Sequence, residues 1–202
     1  GFIEAGQGER PRGGPKGRVF DEDLYLETIP KLFEHLRNKI GFGPKLLHDA
    51  QEHFSPLKAI QLAKLLEPSR LFFLEDVLNL EQLSWYRMMR QSTVTPQAAH
   101  EKLTSPSEYI PLISERLVDF IRFRIAKVGG ITPARKIAAM AELFGIRTAF
   151  QEGADNDPVN FAAACHVDLA STGFGIQEEN RWPELIHELM PGTPKLPDGY
   201  AY

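Results

Sequence analysis

Asp49, Glu75 and Glu101 stand at even steps of 26 residues, and each follows a short apolar run. Arg124, Gln151 and Glu178 continue the series at steps of 23, 27 and 27. A step of this length holds one strand and one helix with short links. The apolar runs at 45–48, 71–74, 97–100, 120–125, 147–150 and 174–177 read as strands. Helical spacing fills the intervals at 21–40, 56–66, 80–90, 106–117, 133–144 and 158–169. Pro30 marks a start or a kink in the first of these helices. Thr132 and Gly145 read as the N-cap and C-cap of the fifth. Strict alternation of strand and helix builds a parallel sheet with crossover helices. Two solutions satisfy it, a doubly wound open sheet and a (β/α) barrel. No G-x-G-x-x-G opens a helix after a strand, so the dinucleotide-binding version has no support.

The regular step places each marked residue at the C-terminal end of its own strand. In a barrel those ends share one face, where catalytic groups gather. Asp49, Glu75 and Glu101 would then converge, and carboxylates that converge repel one another. A cation relieves the repulsion, and an all-oxygen set of hard ligands suits Mg²⁺. The plainer reading is that acids at strand ends cap helices or face water; equal spacing of three acids weighs against it.

The remaining composition narrows the class. With 23 Lys+Arg against 27 Asp+Glu the net charge is −4, without the basic excess of a nucleic-acid binder. Hydrophobic residues at 43% and charged residues at 25% describe a globular chain. The lone Cys165 excludes an internal disulfide and suits a reducing compartment. No apolar run is long enough to span a membrane and no signal-peptide pattern opens the chain, so a cytoplasmic protein is expected. Three segments are expected: a flexible Gly/Pro-rich active-site loop over 1–20, a partial barrel over 21–180, and a C-terminal loop segment over 181–202. Six strands are fewer than a complete (β/α)8 barrel needs, which implies a fragment of a longer protein.

Several stretches carry a family likeness: Leu46-Leu47-His48-Asp49, Leu74-Glu75-Asp76, Thr95-Pro96 before Glu101, Ile121-Arg122, Val128-Gly129-Gly130-Ile131-Thr132, Asp155 with Pro158-Val159, and Phe174-Gly175-Ile176-Gln177-Glu178. In this order and spacing the chain resembles the enolase superfamily, and within it the mannonate dehydratase-like, starvation-sensing subgroup of sugar-acid dehydratases. The resemblance implies an α/β fold, a partial (β/α)8 TIM-type barrel comprising about strands three to eight of the superfamily's C-terminal barrel. It implies Mg²⁺ on Asp49, Glu75 and Glu101, and a sugar acid held by Arg122, Gln151, Asp155 and Glu178. The implied reaction removes the proton beside the substrate carboxylate to give an enediolate, then loses the 3-hydroxyl as water to leave a 2-keto-3-deoxy acid. It also implies a homo-oligomer of the full-length protein; the charge balance and hydropathy lead to no nucleic-acid or membrane partner being expected.

Two positions depart from the subgroup. Gln51 and Gln151 occupy places where it carries histidine, which makes Gln51 the candidate at a catalytic position, although an amide does not titrate near neutrality. Arg124 stands where many superfamily members place a lysine base, and arginine stays protonated. Glu152 would titrate usefully only if desolvated. Two alternatives follow: a paralogue that binds metal and sugar acid with little or no turnover, and another enolase-superfamily racemase or isomerase. Other features read as structural. His48 and His100 are expected to pack among helices, Cys165 in a core, and Trp85, Tyr86, Met88 and Met89 in a core or a subunit contact. Gly129-Gly130 reads as a tight turn or as an anion-binding start to the next helix. The basic residues of 10–18 read as solvated charge or as a lid over an acidic sugar.

Overall fold

A computed structural model describes residues 20–153, 156–179 and 181–195 of the chain. The chain divides into two compact units, residues 1–97 and 98–202.

The first unit opens with α1 (Glu22–Ile40), followed by β1 (Leu47–Asp49), α2 (Pro56–Leu65), β2 (Phe73–Glu75) and α3 (Leu83–Ser92). The Asp21 carboxylate accepts the Leu24 N–H at 3.0 Å, which caps α1. The helix runs through Pro30, the expected start or kink, with Ile29 and Phe33 of the same stretch buried. β1 and β2 are parallel, with Leu47, His48 and Asp49 opposite Phe73, Leu74 and Glu75. This register sets two of the marked acids side by side at the strand ends. Ile29, Phe33, Leu62, Leu66, Phe73, Leu74, Tyr86 and Met89 form the buried interior. Of the aromatic and methionine stretch on α3, Tyr86 and Met89 are buried and Met88 is exposed.

β3 (Gln97–Ala99) begins at the boundary between the units. The second unit continues with α4 (Pro106–Ser114), β4 (Phe120–Ile121), α5 (Ile125–Val128), α6 (Ile131–Leu143), β5 (Arg147–Phe150), α7 (Pro158–Leu169), β6 (Phe174–Gln177) and α8 (Glu184–Leu189). β3, β4, β5 and β6 pair in sequence order, all parallel. Ser105 and Glu108 form a capping box at the start of α4, and Asp157 caps α7 by accepting from Val159 and Asn160. Gly175 lies against the backbone: a Cβ there would stand 2.5 Å from the Thr148 carbonyl and 2.8 Å from the Phe120 ring. Only glycine lets β6 sit this close to β5.

Two local expectations are corrected. The alternating run 120–125 is not one strand. β4 ends at Ile121 and Ile125 opens a helix, with the Ile125 N–H donating at 3.2 Å to a carboxyl just past β5. The cap of α6 is Gly130 rather than Thr132. Gly129 and Gly130, at φ 97° and 104°, turn α5 directly into α6 and so leave Thr132 inside the first turn. Among the described residues no helix is long and apolar enough to cross a membrane.

Candidate functional site

In the first unit, Asp49 and Glu75 are the last residues of neighbouring parallel strands. Glu75 is 2% exposed, so its carboxylate is held at the strand end rather than in bulk water. Gln51 grips Asp49 twice: its backbone N–H donates to Oδ1 at 2.9 Å and its side-chain amide donates to Oδ2. Gln51 and Glu52 both adopt a left-handed backbone here, at φ 54° and 55°. Gln51 therefore orients the Asp49 carboxylate. It has no proton to exchange near neutrality, which removes it as an acid or base.

A further pair of acids lies close by. Glu52 and Asp76 bring carboxylate oxygens within 4.8 Å of each other. The Glu52 N–H donates to the Asp76 carbonyl at 2.7 Å, and its carboxylate accepts from Asn79 at 3.2 Å. Tyr86 lies near both: burial first, then the charges of Asp76 and Glu52, push its phenol well above the ordinary tyrosine value. Strand alternation hid this pair, because Asp76 follows Glu75 directly and reads as facing the other way. Its left-handed φ of 42° breaks the alternation. The only sequence signal was the tandem of acids itself. His48 is structural as expected. Its Nε2 meets the Tyr25 hydroxyl at 2.8 Å, its ring contacts Tyr25 and Phe33, and burial lowers its pKa to about 4.

In the second unit, Arg122 is buried just past β4. Its guanidinium donates to Glu178 at 2.9 Å and approaches the Ala149 and Phe150 carbonyls at 3.4 Å. Glu178, just past β6, also accepts the Glu152 N–H at 3.1 Å. Arg124 donates through Nε to the Gln151 side-chain oxygen and lies 3.4 Å from a Glu101 oxygen. Arg122 with Glu178 and Arg124 with Gln151 and Glu101 thus form two sets of contacts past the strand ends, joined where Gln151 is followed by Glu152. Asp155, the remaining candidate, lies outside the described residues, as do residues 1–19 of the N-terminal loop. His100 is fully buried, with Nδ1 accepting the Lys102 N–H at 3.2 Å.

Glu152 is the residue whose environment the sequence left open, and it is 0% exposed. Burial raises its carboxyl to about 7, against the lowering pull of the Ile125 N–H and the Arg124 charge. Oε1 accepts the Ile125 N–H, while Oε2 is buried with no partner among the described residues. Burial likewise raises Asp168 on α7 to about 7, although Thr148 donates to it at 3.4 Å. Cys165 is pushed up to about 11 by burial and the Asp168 charge, so it carries almost no thiolate at neutral pH.

Asp49 and Glu75, opposite each other in the β1–β2 register, carry hard oxygen donors of the type Mg²⁺ accepts. The buried guanidinium of Arg122, with Glu178 beside it, suits a polar, anionic small molecule.

The chain matches the enolase C-terminal domain-like family over residues 14–202. It is 50% identical over its whole length to the D-galactonate dehydratase family member Pjdr2_1176 of Paenibacillus sp. (strain JDR-2), of which it covers 50%. It is 47% identical over 95% of its length to the D-galactonate dehydratase family member RspA of Pantoea ananatis (strain LMG 20103), covering 46% of that protein. The chain spans about half the length of the curated relatives it matches. A crystal structure of an enolase from Pantoea ananatis, with D-gluconate and Mg bound, matches with a TM-score of 0.93 at 46% identity. That match covers 98% of this chain and 48% of the other. The six parallel strands with their helices are a part of a (β/α)8 barrel, as the sequence implied. The chain therefore belongs to the enolase C-terminal domain-like family, with D-galactonate dehydratase family members among its relatives.

Proposed function

We propose that the protein containing this chain is a Mg²⁺-dependent sugar-acid dehydratase. The observation that carries the reading is the paired register of Asp49 and Glu75 at adjacent strand ends, in a chain that matches a D-gluconate- and Mg-bound relative over nearly its whole length. In this reading Asp49, Glu75 and Glu101 hold the ion, and Arg122, Gln151, Asp155 and Glu178 hold the sugar acid. Bound Mg²⁺ would supply Lewis-acid stabilisation of the charge that develops on the substrate carboxylate. Gln51 fixes the Asp49 carboxylate, and Arg124 keeps positive charge beside Glu101. Arg122 is kept in place by Glu178 and offers a permanent cation to an anionic substrate.

A second reading has its own support. The Gln51 amide is committed to Asp49 and cannot move a proton, which favours a paralogue that binds metal and sugar acid with little turnover. The test is a panel of D-gluconate, D-mannonate and D-galactonate with the whole protein and Mg²⁺. It reads 2-keto-3-deoxy product and, by calorimetry, binding. Product that disappears in Glu75→Gln supports the dehydratase. Mg²⁺-dependent binding without product supports the paralogue. Neither product nor Mg²⁺ binding refutes both.

A further inference from the structure

We propose that the Glu152 carboxyl is a positioning residue for Arg124: by accepting the Ile125 N–H, it fixes the backbone from which Arg124 reaches Glu101 and Gln151. α5 has only four residues, too few to persist through helix propensity alone. Its first N–H has no partner within the helix and must be satisfied from outside. Glu152 Oε1 meets that donor at 3.2 Å from the end of β5, 27 residues along the chain. The adjacent residue, Gln151, accepts from Arg124 Nε. Consecutive residues of one loop therefore hold the Arg124 side chain and the backbone that follows it. The Glu152 N–H donates in turn to Glu178, which also accepts from Arg122. One buried residue thus links both arginines at the strand ends.

The burial of Glu152 excludes direct contact with a dissolved substrate, so its effect passes through Arg124. The importance of Arg124 for catalysis rests on the functional reading above, whereas its placement by Glu152 does not. The experiment therefore needs neither Mg²⁺ nor substrate. In the whole protein with ¹⁵N-labelled arginine, the bonded Arg124 Nε–H gives a slowly exchanging resonance, assigned by its absence in Arg124→Lys. Glu152→Met keeps the side-chain volume and removes the acceptor, and the resonance should be lost or shift to the position of a solvated arginine. Glu152→Gln keeps an acceptor of the same reach, and the resonance should survive. If the Met variant does not fold, Glu152→Asp withdraws the acceptor by one methylene and should give the same loss. A resonance unmoved in the Met and Asp variants, or lost in the Gln variant, overturns the proposal.

Discussion

Asp168→Asn should stabilise the protein in mild alkali and leave it nearly unchanged in mild acid. Asp168 is 8% exposed, sits in the last turn of α7, and has one oxygen without a partner among the described residues. Burial raises its pKa from an ordinary 3.8 to about 7, with the Glu152 charge adding to the rise. The carboxyl is thus favoured as the neutral acid in the folded state. Below pH 3.8 it is neutral folded and unfolded, and its contribution to stability is fully present. As pH rises to 7 the unfolded chain ionises first, and that contribution is lost. The rise from 3.8 to about 7 corresponds to about 4 kcal/mol at most. Relaxation and water entry reduce this, and about 2 kcal/mol is a realistic gain for the neutral amide at pH 8. A negative charge at a helix C-terminus is also opposed by the helix dipole, which acts in the same direction. Differential scanning calorimetry of the whole protein, about twice the length of this chain, should show a melting temperature raised by about 2 °C at pH 8. At pH 4 the two proteins should melt within a degree of each other. An Asn variant equally or less stable at pH 8 would refute the reasoning, since it would mean that the carboxylate is well solvated or paired.

Gly175→Ala places a methyl against the Thr148 carbonyl and the Phe120 ring, and should destabilise by about 2–3 kcal/mol in denaturant titration. Arg37→Met should cost about 3 kcal/mol, because the buried guanidinium donates to the carbonyls of Ser69, Gly41, Pro44 and Arg70 at 2.7, 3.1, 2.8 and 3.0 Å. Arg37→Lys should recover less than half of that loss, since an ammonium cannot reach all four. Cys165, raised to about 11, should be alkylated by iodoacetamide at pH 8 roughly a hundredfold more slowly than an ordinary thiol, read by mass spectrometry at that residue.

Much of the architecture was legible because local rules and tertiary demands agreed. Arg147–Phe150, Pro158–Leu169 and Phe174–Gln177 take the structures their patterns imply. Each has a clear boundary: Gly145 at φ 74° before β5, Asp157 capping α7, and Gly173 before β6. Where a boundary depends on a distant partner, the pattern misleads. The apolar run 120–125 reads as a strand, yet Ile125 begins a helix and donates its N–H to Glu152, 27 residues away. The same limit applies at the candidate site. Asp49 and Glu75 are visible as a periodic pair, but Glu52 and Asp76 become neighbours only through left-handed backbone turns.

The sequence by itself determined the strand–helix period, the positions of Asp49, Glu75 and Glu101 in that period, and the inability of Gln51 and Gln151 to carry a proton. Those properties reside in residue identity and spacing, which folding does not alter. Only the tertiary structure decided that Gln51 grips Asp49 with two amides, that Arg124 is shared between Glu101 and Gln151, and that Glu152 is wholly buried. Hydrogen-bond partners and desolvation are set by groups brought together from separate strand ends, and no local pattern encodes which of them will meet.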